Sequence, residues 1–445
     1  MDNKREVIYT FEDMVESLKQ AIGTFPDKRT GKNTRYKMQD AACGAFSVFF
    51  TQCPSFLSHQ QLLQQRYGFS NSRTLFRMND IPSDNHIRDL LDPVMPSSLD
   101  YVFETCFDAL KQSGHLDSFR VQLGERRNDL LIALDGTEYY SSETHHCKNC
   151  SIRIRDGQTR FCHGMVTPTI VAPGMNKVIS CPPEFITPQD GDSKQDCELK
   201  AAKRYLRKQG KKYIDNATFL GDDLYAHEPW CRQVLKKGCN FIFVCKPDSH
   251  KTLYEWIKDV TVEKTEDRFD GKNHQIYTYN YIENVPLRDG KDALPVNFVE
   301  VTVKDRKTGK QLYHNAFITN HPLTEETIKT IVDCGRARWK IENENNNTLK
   351  TKGYHLEHNF GHGKKYLASL LATMNLLAFL FHTMLEFMNK KYKLLRTVLG
   401  ARKRFFNDIR TLLIYFPFKS FDNLMNFMIE GLQKPHDLET LQVPI

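Results

Sequence analysis

The chain has 445 residues, with 62 Lys and Arg against 54 Asp and Glu, a net charge of +8 with histidine neutral. Its 40% hydrophobic and 26% charged residues are values of a folded soluble protein and exclude a disordered chain, a collagen and a small disulfide scaffold. The length predicts two to four domains at about 100–200 residues each, and the charge leans mildly toward polyanions.

Residues 1–25 carry Lys4, Arg5, Glu6, Glu12 and Asp13 and no apolar stretch, so no secretory leader is expected. The 12 cysteines are too dilute for a disulfide framework and read as reduced, buried thiols of a cytoplasmic protein. Residues 10–23 predict a helix with Phe11, Met14, Val15 and Leu18 on one face. Lys28, Arg29, Lys32, Arg35 and Lys37 then follow with no acid among them, as a solvated loop or a phosphate contact. Helical pattern continues to about residue 115.

At residue 129 the character changes. Asp129-Leu-Leu-Ile-Ala-Leu-Asp135 predicts a buried strand that ends on a carboxylate. His145-His146-Cys147-Lys-Asn-Cys150 and Cys162-His163 come next. A CxxC pair grips one Zn²⁺ well, and a second pair of ligands farther on completes a tetrahedron. The candidate ligands are Cys147, Cys150, His163 and either His146 or Cys162, with reduced surface cysteines as the alternative.

Residues 193–209 predict a helix capped by Asp192 or Ser193 and closed by Gly210. Lys200, Lys203, Arg204, Arg207 and Lys208 share one face of it, extended by Lys211 and Lys212. That stripe is either a solvated face or a track for phosphates, and the lack of acids favours the track. Glu198 is a helix-start acid or a support for a metal. The run Ala217-Thr-Phe-Leu-Gly predicts another strand ending on a carboxylate, Asp222. A helix at 226–237 and a strand over Asn240–Cys245 complete the alternation of an α/β layer.

From 246 to 324 the pattern is β-rich. Tyr277, Tyr279 and Tyr281 line one strand face, to pack a sheet or stack bases, and Asp305–Gly309 predicts a hairpin turn. A helix then runs from Thr324 past Lys350. Arg338 and Glu342 are four apart on it, on the face of Ile328, Ile331, Gly335 and Trp339, so Glu342 is expected toward the core. A carboxylate there is costly unless paired or metal-bound. Leu367–Leu385 is uncharged for 19 residues, near the length of a bilayer span. Ser369, Thr373, Asn375, His382 and Thr383 favour a buried core helix instead, with no membrane. A second cationic cluster runs from Lys390 to Arg404.

Three converging carboxylates suit Mg²⁺, a hard cation that takes oxygen ligands. Two such ions can clamp an in-line displacement at phosphorus, and Arg338 could stabilise the added charge. The residues Leu134-Asp135-Gly-Thr137, Gly221-Asp222-Asp-Leu-Tyr225 and Arg338-Trp339-Lys-Ile-Glu342 resemble the DDE transposases of bacterial insertion sequences, most closely the IS4-like group and its neighbours. The resemblance covers about residues 28–390 and includes Gly353-Tyr-His-Leu-Glu-His-Asn-Phe-Gly-His362. It implies an α/β fold with an RNase H-like catalytic core, interrupted by a β-rich insertion domain and flanked by helical N- and C-terminal regions. The expected segments are a helical DNA-binding region at 1–125, the core at 126–245 and 325–389, the insertion at 246–324 and a basic helical tail at 390–445.

The resemblance further implies Asp135, Asp222 and Glu342 as ligands of two Mg²⁺, for which Mn²⁺ substitutes. The substrate would be double-stranded DNA, at element ends and target, cut and then joined by a homodimer at the bacterial nucleoid. The group's signature is Tyr, two residues, Arg, three residues, Glu, six residues, Lys. Here Gly335 stands at the Tyr position and Leu349 at the Lys position, with Lys350 one step later as a DNA-binding candidate. Asp223 and Glu344 are backup acids, and His355, Glu357, His358 and His362 form a second metal site or a positioning loop. The alternatives are an RNase H-like nuclease that cuts without joining, and a decayed derivative that only binds DNA.

Overall fold

The structure, a computed structural model, describes residues 9–433 apart from 28, 31–33, 35, 125–127, 189–197, 209–215, 259 and 270. Lys28, Lys32, Arg35, Asp192, Ser193, Gly210, Lys211 and Lys212 therefore lie outside the described residues. The chain forms two units, one of residues 114–348 and one that joins Met1–Ser113 to Leu349–Ile445.

The first unit is α/β. Its strands are β1 (Arg120–Gln122), β2 (Asn128–Ala133), β3 (Gly136–Ser142), β4 (Ser151–Arg155), β5 (Gln158–Val166), β6 (Thr169–Val171) and β7 (Ile179–Ser180). They continue with β8 (Glu184–Ile186), β9 (Ala217–Gly221), β10 (Asn240–Val244), β11 (Val262–Phe269), β12 (His274–Pro286), β13 (Pro295–Asp305) and β14 (Gln311–Thr319). One mixed sheet has the order β11-β12-β13-β14-β10-β9-β2-β6-β7, with β1 added on β2. β2, β9 and β10 are parallel neighbours. Every residue of β9 and β10 is buried, as is β2 after its first residue, which is why these runs are mostly apolar. The buried Asp129 carboxylate is held across them by the Thr218 hydroxyl at 2.7 Å and the Asn240 amide at 2.9 Å.

The β-rich segment does not make a sheet of its own. β14 pairs antiparallel with β10 through Phe317–Thr319, so β11–β14 extend the sheet of the parallel strands. Tyr277 and Tyr279 are buried, and the Arg268 guanidinium lies 3.9 Å from the Tyr277 ring centre. This part of the tyrosine stripe therefore packs, and is not free for bases. A second, smaller sheet has the order β3-β5-β4, with β8 on β5.

The second unit is helical. Thr10 and Asp13 form a reciprocal capping box on the helix Phe11–Ile22, whose Phe11, Met14, Val15 and Leu18 are buried. The apolar helix Leu367–Met388 has 89% of its most apolar window buried inside the protein, so it is a core helix. Several of its polar groups find partners there. Asn375 donates to the Tyr354 carbonyl at 2.8 Å, and the His382 ring meets the Tyr354 hydroxyl at 2.6 Å. Thr373 and Thr383 bond back to carbonyls four residues earlier. The N- and C-terminal helical regions thus share one core, where the sequence suggests separate segments.

Candidate active site

Asp135 and Asp222 follow neighbouring parallel strands at the same offset. Ala133 pairs with Leu220, so each aspartate lies two residues beyond a paired position. Strands about 4.8 Å apart then place the two carboxylates side by side. Asp222 Oδ1 accepts from the Leu224 N–H at 3.0 Å and starts a short 3₁₀ turn over Asp223–Tyr225. Asp223, the backup acid, is committed to the next loop by the Lys246 N–H at 2.7 Å and the Ser249 hydroxyl.

Glu342 comes from a helix that changes pitch. The α-helix Ile328–Ala337 tightens at Arg338, where the Arg338 N–H reaches the Gly335 carbonyl, and then widens into a π-helix over Ile341–Asn346. π-turns of this kind are rare and cluster at functional sites. The change of pitch corrects the sequence expectation. Trp339 is 46% exposed and Glu342 is exposed, while Ile341, Asn345, Asn346 and Leu349 form the buried face. Glu342 Oε1 pairs with Arg338 Nη1 at 2.6 Å. Gly335 packs against β14. A side chain there would begin 2.7 Å from the Phe317 ring, so the space of the group's tyrosine is already filled.

Two amides in the π-helix were not foreseen. Asn346 donates to Asp135 Oδ2 at 2.9 Å and accepts from the Thr167 hydroxyl at 2.8 Å. Asn345 donates to Asn346 at 3.0 Å and accepts from Ser180 at 2.7 Å. The only trace of this chain in the sequence is the polar run Asn343-Glu-Asn-Asn-Asn347, within a helix whose core side should be apolar.

Burial, then the negative charge of Glu198, then those of Glu342 and Asp222, push the Asp135 carboxyl up to about 7, against the pull of Arg338. The structure thus brings Asp135, Asp222, Glu342 and Arg338 within electrostatic reach, with Glu198 among them. An oxygen-only donor set whose negative charges repel one another fits a hard divalent cation, which would relieve the repulsion.

In the smaller sheet, Cys147 and Cys150 lie 3.9 Å apart at sulfur, and His163 Nε2 lies 3.6 and 3.3 Å from them. A tetrahedral Zn²⁺ with Zn–S bonds of about 2.3 Å separates sulfurs by about 3.8 Å, so the three atoms fit that geometry. Cys162 is not with them. It is next to His163 on β5, so it faces the other side, toward Glu138. The His146 ring stacks on Phe161 at 4.3 Å.

The cationic stripe splits. Arg204 pairs with Glu184 at 2.9 Å and Lys208 pairs with the same carboxylate at 2.6 Å, which anchors the helix Glu198–Lys208 to β8. Lys200, Lys203 and Arg207 line a cleft of about 600 Å³ with Lys236 and Lys237. In the helical unit, Lys350 pairs with Glu357 at 2.8 Å. Arg88 and Asp92 hold the loop that follows, by bonds to the Phe360 carbonyl and to the N–H groups of Lys364, Lys365 and Leu367.

Residues 172–380 match the family model of the transposase DDE domain. Over that stretch, which holds Asp222, Arg338 and Glu342, the chain is similar to that family, and the match supports a DDE transposase acting on DNA. No curated protein matches the chain.

Proposed function

We propose that the chain is a DDE transposase that cuts phosphodiesters at the ends of its own DNA element and joins the freed 3′ ends to target DNA. One observation carries the proposal. Two aspartates follow adjacent parallel strands in register, a Glu–Arg helix lies within electrostatic reach of Asp135, and Asp222, Arg338 and Glu342 fall within the match to the transposase DDE domain. Asp135, Asp222 and Glu342 would hold two Mg²⁺ or Mn²⁺, which supply charge neutralisation at the phosphate and activation of the attacking oxygen. Arg338 stabilises the charge that builds on the phosphorus oxygens, and Asn346 fixes the Asp135 carboxylate in one orientation. Lys200, Lys203 and Arg207 track the DNA backbone. Work as a dimer on paired ends, in the cytoplasm at the nucleoid, completes the proposal.

The assay uses DNA carrying the sequences that flank the gene, with supercoiled plasmid as target. The wild type should give both cut ends and joined products in Mg²⁺. Asp135→Asn, Asp222→Asn and Glu342→Gln should give neither while still binding the DNA. Cutting without any joined product would replace the proposal with a nuclease. A wild type that binds and never cuts would point to a decayed derivative.

The Cys147, Cys150 and His163 corners are proposed to hold a structural Zn²⁺ that closes the β3–β5 hairpin. Metal analysis should find zinc in the wild type and none in Cys147→Ser, and a zinc-free wild type would sink this part.

A further inference from the structure

Each of the two aspartates has a glycine beside it, and both glycines make room for one pair of side chains. A methyl group on Gly221, before Asp222, would fall 2.6 Å from the Tyr225 ring. One on Gly136, after Asp135, would collide with the Glu198 carboxylate. Neither glycine has a positive φ, so space and not backbone conformation demands them. The buried Tyr225 hydroxyl donates to Glu198 Oε1 at 2.8 Å, and the Gly136 N–H donates to the same carboxylate. Glu198 stands 63 residues from Asp135 in sequence, yet of the acids that raise Asp135 it acts most strongly.

A purely structural tether between helix and sheet does not account for the charge. A glutamine could accept the same two hydrogen bonds. The carboxylate is instead half-buried beside Asp222 and Asp135, where burial, then the charge of Asp222, disfavours it. Arg338 supplies one positive charge and already pairs with Glu342, so these four acids call for a further cation. We infer that Glu198 is a fourth carboxylate ligand of the metal site formed by Asp135, Asp222 and Glu342, with Tyr225 as the residue that positions it. This rests on the metal-dependent function proposed above. A hard cation takes oxygen ligands from several carboxylates, and the second hydrogen-bond partner of a ligand fixes its orientation.

The test is Mn²⁺ titration of the full chain by calorimetry, beside melting in metal-free buffer, for the wild type, Glu198→Gln, Tyr225→Phe and Asp135→Asn. Glu198→Gln should bind Mn²⁺ about tenfold or more weakly. Its metal-free melting temperature should hold or rise, because a repelling charge is gone. A tether alone would survive in Glu198→Gln and leave Mn²⁺ binding as it was. Tyr225→Phe should weaken binding in the same direction by less. Wild-type affinity in both of these variants, with no binding by Asp135→Asn, overturns the role of Glu198 alone. Unchanged affinity in all three overturns the metal site itself, and this inference with it.

Discussion

Two histidines show how burial sets charge at single positions of the helical unit. His59 is enclosed between the Ser47 hydroxyl, 2.7 Å from Nε2, and Thr51. Burial, then the positive charge of Arg410, holds it down at about 3. His382 is likewise held well below its usual value by burial, then by Arg402 and Arg396. Both are neutral in the fold, whereas the unfolded chain protonates near 6.5. Between those values the unfolded state binds more protons, so their contribution is complete above about pH 6.5 and is lost as pH falls. Each proton steepens the loss by up to about 1.4 kcal/mol per pH unit. Urea melts of the wild type and His59→Gln between pH 7 and 4 should differ in slope by nearly one proton. Parallel curves would contradict this account. Neither histidine stands out by local pattern as titrating unusually, because the enclosing groups come from packing.

At the scale of elements, the Glu helix is where sequence reasoning went furthest astray and is most informative. Its acid and arginine were legible from their spacing, and they do pair. Its facing was not, because a constant 3.6-residue period does not allow for a tightened turn followed by a π-turn. Gly335→Tyr would restore the tyrosine of the group's signature but drives a ring into Phe317. Overpacking of this kind costs about 1–3 kcal/mol, so denaturant melts should show a lower midpoint. An unchanged midpoint would mean that Phe317 swings away without cost. The cationic helix makes the same point. Its stripe was legible, but Glu184 from β8 takes up Arg204 and Lys208. Lys200→Ala, Lys203→Ala and Arg207→Ala should therefore weaken DNA binding, with a fall of about 0.9 in the salt slope for each phosphate no longer neutralised. Lys208→Ala should mainly lower stability. Equal salt slopes for the two sets would count against this division.

For the whole molecule, composition and local pattern determined a great deal. They were enough to give the α/β class, the helical ends, a core helix over Leu367–Leu385, which the structure extends to Met388, and strands that lead into Asp135 and Asp222. They also pointed to Cys147, Cys150 and His163 together, and these three side chains do lie side by side. Those features are local, set by apolar periodicity, turn residues and short ligand spacings within a few residues of one another. Tertiary structure alone decided that β11–β14 join the central sheet and that the two ends of the chain share a core. It alone brought Asn346 to Asp135 across 211 residues and set Tyr225 and Glu198 into the gaps left by two glycines. The reason is physical. Which acids meet, which cations are neutralised and which face of a helix is buried depend on side chains from distant segments sharing one space. No window along the chain contains those partners.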